Sequence, residues 1–146
     1  LIFIIGLIIL NNFYEIKKFH PYQSLYFNNI FNKNKITDYQ VDTPSLSRSE
    51  ALNFIYNNWE NKEKIFVGNA SWTPFENAKD ILTYEKKEKF VFVGQEFDKA
   101  DYIYTNYIYK SNEKYNKSYK IPLNFKKIKE LKIKNVRIYS IYKRVL

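Results

Sequence analysis

The chain has 146 residues, enough for one domain with an apolar core of its own. It has no cysteine and a single histidine, so disulfide bonds and thiolate metal sites are excluded and a side-chain zinc site is disfavoured. The formal net charge of +9 accompanies many Lys, Asn, Ile, Tyr and Phe residues, a composition typical of AT-rich coding, so the charge alone does not indicate a nucleic-acid partner.

The N-terminus begins with an apolar run that leads into an aromatic and basic segment. Leu1 to Leu10 are too few to span a bilayer, but the sequence starts at leucine rather than methionine, so we expect the run to continue before residue 1. Residues 1–19 are therefore predicted to be the end of a transmembrane helix and an interface segment, with Lys17 and Lys18 near the head groups. The alternative is a buried N-terminal strand or helix of an ordinary domain.

Residues 20–146 are predicted to form one soluble C-terminal domain that begins with a loop. Ser47-Arg48-Ser49-Glu50 matches a capping box and predicts a helix from there to about Asn58. Thr73-Pro74-Phe75-Glu76 repeats the helix-start pattern, with threonine as the cap, and predicts a second helix that reaches Leu82.

Short apolar segments predict three strands, at 64–68, 90–94 and 100–105. The second is apolar throughout, which is typical of a strand buried inside a sheet, and the order strand, helix, strand favours parallel pairing. Two further strands joined around Lys134-Asn135 are predicted to form an antiparallel edge hairpin, with a short helix over 125–131 as the alternative. The expected fold is α/β, a small two-layer or three-layer and mostly parallel sheet with an antiparallel C-terminal edge hairpin.

No catalytic, cofactor-binding or metal site is predicted. Gly68-Asn69-Ala70-Ser71 follows the first strand, but no complete phosphate-binding motif is present, so an ordinary turn is favoured. A single histidine disfavours a Ser-His-Asp arrangement. Asp38 and Asp42 are expected in a solvated loop. Asn69-Ala70-Ser71 and Asn116-Lys117-Ser118 match the glycosylation acceptor pattern, which an Asn-rich chain produces easily.

The residues after the apolar run carry a resemblance to a known family. His20-Pro21-Tyr22-Gln23 is followed by Tyr26-Phe27-Asn28, by a segment that ends at Asp42, and by the helix start at Ser47. This order resembles the C-terminal region of polytopic bacterial glycosyltransferases of the GT-C class, which are related to dolichyl-phosphate-mannose protein mannosyltransferases and to the lipid A aminoarabinose transferase. Thr43-Pro44-Ser45 stands where that family has Tyr-Trp-Gly.

The resemblance implies a non-catalytic C-terminal domain of an integral membrane glycosyltransferase that uses a polyprenyl-phosphate-linked sugar. The implied partners are the lipid bilayer, an upstream membrane-embedded part of the same protein, and a lipid-linked sugar or glycan acceptor. The implied location is the inner or plasma membrane with this domain on the extracytoplasmic side, although Lys17 and Lys18 favour the cytoplasmic side. The family-motif residues, with a structural or acceptor-side role, are His20, Pro21, Tyr22, Tyr26, Asn28 and Asp42.

Two other functions remain open from the residues alone. One is a membrane-anchored module without enzymatic activity that binds anionic lipid or glycan through a basic aromatic surface. The other is a soluble nucleic-acid-binding protein. The basic residues are spread along the sequence with small clusters at Lys86-Lys87, Lys126-Lys127 and Lys143-Arg144, which favours a solvated basic surface over a nucleic-acid site.

Overall fold

The computed structural model describes residues 2–18, 20, 22, 46–60, 63–108, 117–133 and 136–145. The chain divides into two compact units, residues 1–43 and residues 44–146.

The described part of the first unit is dominated by helix α1, Ile2–Lys18, which has no buried residue. None of the described helices is long and apolar enough to cross a membrane, so the transmembrane helix predicted over residues 1–19 is not supported. The alternative of a buried N-terminal helix is also not supported by the described residues, among which the large apolar side chains of α1 are exposed. These are Ile2, Phe3, Ile4, Ile5, Leu7, Ile8, Ile9, Leu10, Phe13, Tyr14 and Ile16.

The second unit begins with helix α2, Leu46–Asn57, whose buried face comprises Ser47, Ala51, Leu52 and Ile55. These positions recur at three- and four-residue spacing, as one face of a helix requires. The helix starts before Ser47, so the predicted role of Ser47 as the cap is wrong. Its hydroxyl instead shares a buried hydrogen bond with the hydroxyl of Tyr104, which lies in the sheet. Glu50 accepts a hydrogen bond from the hydroxyl of Tyr139, so the polar residues of the first turn join the helix to the sheet.

One mixed sheet of five strands forms the centre of the second unit. Its strands are β1 (Ile65–Asn69), β2 (Phe90–Gly94), β3 (Tyr102–Thr105), β4 (Phe125–Ile133) and β5 (Val136–Arg144). They lie in the order β2-β1-β3-β5-β4. β1 pairs in parallel with β2 and β3, whereas β5 pairs antiparallel with β3 and β4. The α/β class and the C-terminal edge hairpin are confirmed, the helix alternative for 125–131 is wrong, and the sheet is mixed rather than mostly parallel.

Strand β2 has the predicted bounds but a different place in the sheet. It is an outer strand rather than an interior one, and only Phe90 is fully buried. An apolar run indicates that both faces of a strand meet other groups, but it does not say how many strands flank it. On one face, the ring of Phe92 meets the ring of Phe75 edge-on, with centroids 5.6 Å apart.

The predicted second α-helix is replaced by a 3₁₀ helix, Glu76–Ile81, followed by helix α3, Tyr84–Lys89. Phe75, not Thr73, is the residue that precedes the 3₁₀ helix, and no side chain caps it. The ring of Phe75 is fully buried and stacks on Tyr104 at 4.2 Å between centroids. Packing of this ring against the sheet therefore sets the local backbone, and the capping prediction at Thr73 is wrong.

The connection from β2 to β3 spans residues 95–101 and contains no helix. It is held by close packing of Phe97 on Gly68 of β1, where an added Cβ atom would lie 2.9 Å from the Phe97 ring. Arg144 also fastens this segment, because its guanidinium donates hydrogen bonds to the carbonyl oxygens of Phe97, Asp98 and Ala100. Gly68 is thus required for packing rather than for a phosphate-binding turn.

Candidate functional site

The carboxyl ends of β1 and β3 mark the position where a ligand site is expected. These strands are parallel neighbours, and the chain leaves β1 toward β2, on the side away from β3. In open α/β sheets, ligands bind outside the carboxyl ends of the strands at such a topological switch point. The residues that follow β1 and β3 are therefore the first candidates for a functional site.

Five neutral polar residues meet at this point. We call them the switch-point cluster, and they are Asn69, Ser71, Thr73, Thr105 and Asn106. Sequence reasoning identified the first strand and its Gly68–Ser71 continuation, but it did not pair that continuation with the end of the third strand. The available signal was the run of hydroxyl and amide residues directly after each of two predicted parallel strands.

The cluster is closed by hydrogen bonds between its own members. The hydroxyl of Ser71 accepts from the backbone N–H of Asn106 at 2.8 Å and donates to Oγ1 of Thr105 at 3.3 Å. Thr105 in turn donates to the carbonyl oxygen of Ala70 at 2.9 Å. The side-chain amide of Asn106 donates to Oγ1 of Thr73 at 3.0 Å. Because buried polar groups are stable only when paired, this network fixes the loops after β1 and β3 against each other.

Two aromatic side chains lie beside the buried network. Trp72 is half exposed, and Tyr107 has a left-handed backbone with φ +60°. A non-glycine residue in that region costs on the order of 1 kcal/mol and needs support from its surroundings. That support comes from a 2.6 Å hydrogen bond between the hydroxyls of Tyr107 and Ser140 and from the guanidinium of Arg137, which lies 4.6 Å from the Tyr107 ring centroid.

Asn69 is the member of the cluster with unused bonding capacity. Its Nδ2 atom donates to the carbonyl oxygen of Thr73 at 2.7 Å, while its Oδ1 atom is buried and has no hydrogen-bond partner. The nitrogen that would carry a glycan is therefore engaged inside the fold, which argues against glycosylation at Asn69. The second acceptor pattern begins at Asn116, which lies outside the described residues.

Among the described residues, a serine and a carboxylate meet in the hairpin, where the hydroxyl of Ser140 donates to Glu130 at 3.4 Å. Glu130 also forms ion pairs with Lys127 and Lys132, each at 2.8 Å. These hydrogen bonds and charges lower the pKa of Glu130 to about 2. So weak a base does not remove a proton from a hydroxyl at neutral pH, and Ser140 is fully buried. The arrangement stabilises the hairpin.

Metal chemistry finds no support within the part of the chain that the structure describes. Those residues contain no group of three or more His, Asp or Glu side chains placed to hold an ion. A shallow, open groove lies at the opposite end of the sheet, at the amino ends of β1 and β2. It is lined by Glu63, Lys64, Phe66, Glu88 and Lys89, and it has no contact with the switch-point cluster.

The six family-motif residues belong to the first unit. His20 is exposed, and its backbone N–H donates to the carbonyl oxygen of Lys17 at 3.2 Å, which completes the last turn of α1. Tyr22 is buried, with 4% of its surface exposed. The other four, Pro21, Tyr26, Asn28 and Asp42, lie outside the described residues, as does Asp38. Their predicted structural or acceptor-side role stays a prediction.

No family model, no curated protein and no solved structure matches this chain.

Proposed function

We propose that this chain is a non-catalytic domain of an integral membrane glycosyltransferase that uses a polyprenyl-phosphate-linked sugar, and that α1 attaches it to the membrane. The observation that carries the proposal is the apolar surface of α1. Its large side chains are exposed, with Ile2 at 87% and Phe3 at 77%, and none of its residues is buried. A continuous apolar surface of this kind marks a site of contact with lipid or with another protein.

The C-terminal half of α1 supports an interfacial position. Phe13 and Tyr14 are exposed, and Lys17 and Lys18 occupy the last turn. Aromatic rings and lysines are enriched where a helix leaves the hydrocarbon region, because each combines an apolar body with a polar end. The lysines also complement the negative end of the helix dipole. The N-terminal half of α1 is thus apolar and its C-terminal half is amphipathic. This order suits a helix whose N-terminal half contacts lipid chains while its C-terminal half lies at the head groups.

The chemistry of the second unit supports an accessory role. Ser140, which lies beside the carboxylate of Glu130, is buried and faces a base with a pKa of about 2. The transferase assignment itself is supported by the resemblance of the segment from His20 to Asn28, and that resemblance also favours the extracytoplasmic side for the α/β unit. The unit would contact the acceptor or cover the active site of the membrane-embedded part.

Flotation with vesicles of neutral phosphatidylcholine tests the attachment. The full chain is expected to float with the vesicles, and the double variant Ile5→Asp, Ile8→Asp is expected to stay behind, because two charges on the apolar surface of α1 oppose its burial against lipid chains. Both positions are exposed, so the fold is unaffected. The control Asn11→Asp, Asn57→Asp adds the same charge at exposed polar positions and should still float. Wild-type chain that does not float would contradict the attachment.

A transfer assay tests the transferase assignment separately. Membranes that contain the full-length gene product are expected to move sugar from a polyprenyl-phosphate donor to an acceptor. A version without residues 44–146 should retain measurable transfer but saturate at higher acceptor concentration. If the chain floats with vesicles but the full-length product transfers no sugar, the transferase assignment is refuted. A membrane-anchored binding module would then remain as the function.

A further inference from the structure

The β4–β5 hairpin carries most of the net positive charge of the chain. Residues 125–144 contain eight lysines and arginines against one acid, Glu130, so the hairpin carries +7 of the total formal charge of +9. In the sequence, four of these basic residues form two pairs near the ends of the segment, which begin at Lys126 and Lys143. The antiparallel pairing places these two residues directly opposite each other.

Like charges face each other at both ends of the hairpin. Lys126 is the cross-strand partner of Lys143, and Lys132 is the partner of Arg137. Directly opposed like charges destabilise a strand pair. Glu130 forms ion pairs with Lys127 and Lys132. Within the described ranges, no carboxylate forms an ion pair with Lys126, Arg137 or Lys143. The hairpin thus keeps a repulsion that an external anion would relieve.

The basic side chains are accessible along one border of the sheet. β4 is the outermost strand, and Lys126, Lys127 and Lys132 on it are exposed, as are Arg137 and Lys143 on β5. The other outer strand, β2, contains no charged residue. The charge therefore belongs to one border of the sheet and not to its borders in general.

The aromatic rings of the hairpin favour a partner that is recognised by charge alone. Phe125 and Tyr139 are buried, and Tyr142 packs partly buried against the core cluster that contains Phe125. Proteins that hold single-stranded nucleic acid offer exposed rings on which bases stack. The described part of the hairpin has no such exposed rings. Binding to an extended anionic surface does not need them, because it requires only accessible cations.

We propose that the outer border of the β4–β5 hairpin docks on the anionic surface of a lipid bilayer and holds the α/β unit at the membrane. The proposal rests on the membrane attachment proposed for α1, and it names the second contact. Each lysine or arginine near an anionic leaflet raises membrane binding by about fivefold. The competing explanation is that lysines on an outer strand only prevent strands of different molecules from pairing.

The test compares two triple variants of the full chain on two kinds of vesicle. Lys126→Gln, Lys132→Gln, Lys143→Gln removes charge from three exposed positions of the hairpin. The control Lys79→Gln, Lys89→Gln, Lys99→Gln removes the same charge elsewhere in the α/β unit. On phosphatidylcholine vesicles with added phosphatidylglycerol, the hairpin variant is expected to bind about 100-fold more weakly than wild type at low salt, and the control within about fivefold. On pure phosphatidylcholine, neither variant should differ from wild type, and high salt should abolish the difference on anionic vesicles.

Three results would overturn the proposal. Equal losses in both variants would mean that net charge, not the hairpin, sets binding. A hairpin variant that aggregates while its vesicle binding is unchanged would assign the lysines to protection of the strand edge. Hairpin-dependent binding of duplex DNA that exceeds binding to anionic vesicles would make a nucleic acid the partner. If the wild-type chain does not bind pure phosphatidylcholine, only the membrane attachment proposed for α1 is contradicted. The hairpin proposal is tested separately, by the difference in binding between the two lipid mixtures.

Discussion

The two halves of the sheet use polar residues in opposite ways. In the parallel half, formed by β1, β2 and β3, the polar side chains of the switch-point cluster are neutral, mostly buried and bonded to one another. In the antiparallel half, formed by β4 and β5, they are charged, exposed and in part opposed to like charges. The first arrangement fixes loops, and the second leaves a surface that attracts an anionic partner.

The difference follows from the cost of burial. A buried hydroxyl or amide without a partner is expensive, so such groups persist inside a fold only as complete networks, which are then useful mainly for rigidity. Exposed charges cost little and contribute little to stability, so their placement is free to follow a partner. Stability should therefore respond strongly to changes in the parallel half and weakly to changes in the hairpin.

The largest effect is expected for the ring that joins the 3₁₀ helix to the parallel half. Phe75→Ala should lower the free energy of unfolding by about 3–5 kcal/mol, because it empties a fully buried site stacked on Tyr104. Urea denaturation measures the change. Tyr84→Ala, at a position that is 79% exposed, serves as the control and should stay within about 0.5 kcal/mol of wild type. A loss below about 1 kcal/mol for Phe75→Ala would contradict the packing.

A smaller loss is expected in the switch-point cluster. Asn106→Ala removes the donor to Thr73 and the acceptor of the Ile108 N–H, and it should cost about 1–3 kcal/mol because buried partners lose their bonds. Asn77→Ala, on the exposed face of the 3₁₀ helix, is the matched control. Equal stability of the two variants in urea would show that the cluster does not fasten the loops.

The one acid of the hairpin predicts a pH dependence. Lys127 and Lys132 lower the pKa of Glu130 from 4.5 to about 2, so the stabilisation from its charge is complete above pH 4.5 and is lost as the pH falls through about 2. Glu130→Gln should therefore melt below wild type at neutral pH, and the difference should shrink between those pH values. Thermal melts at several pH values measure it, with the exposed Glu76→Gln as the control. A difference that stays constant down to pH 2 would contradict the assigned ion pairs.

The smallest effect tests the opposed charges directly. Lys126→Glu places a carboxylate opposite Lys143 and should raise the free energy of unfolding by about 0.2–1 kcal/mol at low salt. The gain should diminish as salt is added. Lys120→Glu, at an exposed position outside the hairpin, controls for net charge. A destabilised Lys126→Glu chain would mean that the strands are not paired in this register.

Apolar patterns predicted much of the sheet. The run at 90–94 gave the bounds of β2, and the alternation on both sides of Lys134-Asn135 gave the hairpin. The strand predicted at 100–105 begins two residues later, at Tyr102, because Asp101 bonds with Phe66 through its backbone and its carboxylate rather than as part of a ladder. These features are local, and the physical reason for each lies within a few residues.

Patterns that depend on distant partners were not predicted. Ser47 and Thr73 looked like helix caps, but their hydroxyls bond with Tyr104 and Asn106, which lie more than 30 residues away in the sequence. The opposition of like charges was missed for the same reason, since it depends on the register that brings Lys126 opposite Lys143. That register includes two irregularities in β4 that no sequence pattern specifies.

Hydrogen exchange of the full chain with and without anionic vesicles would test the account most directly. We predict that vesicles slow exchange in α1 and along β4, and leave β2 unchanged, because the first two are the proposed lipid contacts and the third is an uncharged outer strand of the same sheet. Slowed exchange in β2 with none in β4, or no change in α1, would contradict a membrane-attached domain held down by its basic hairpin.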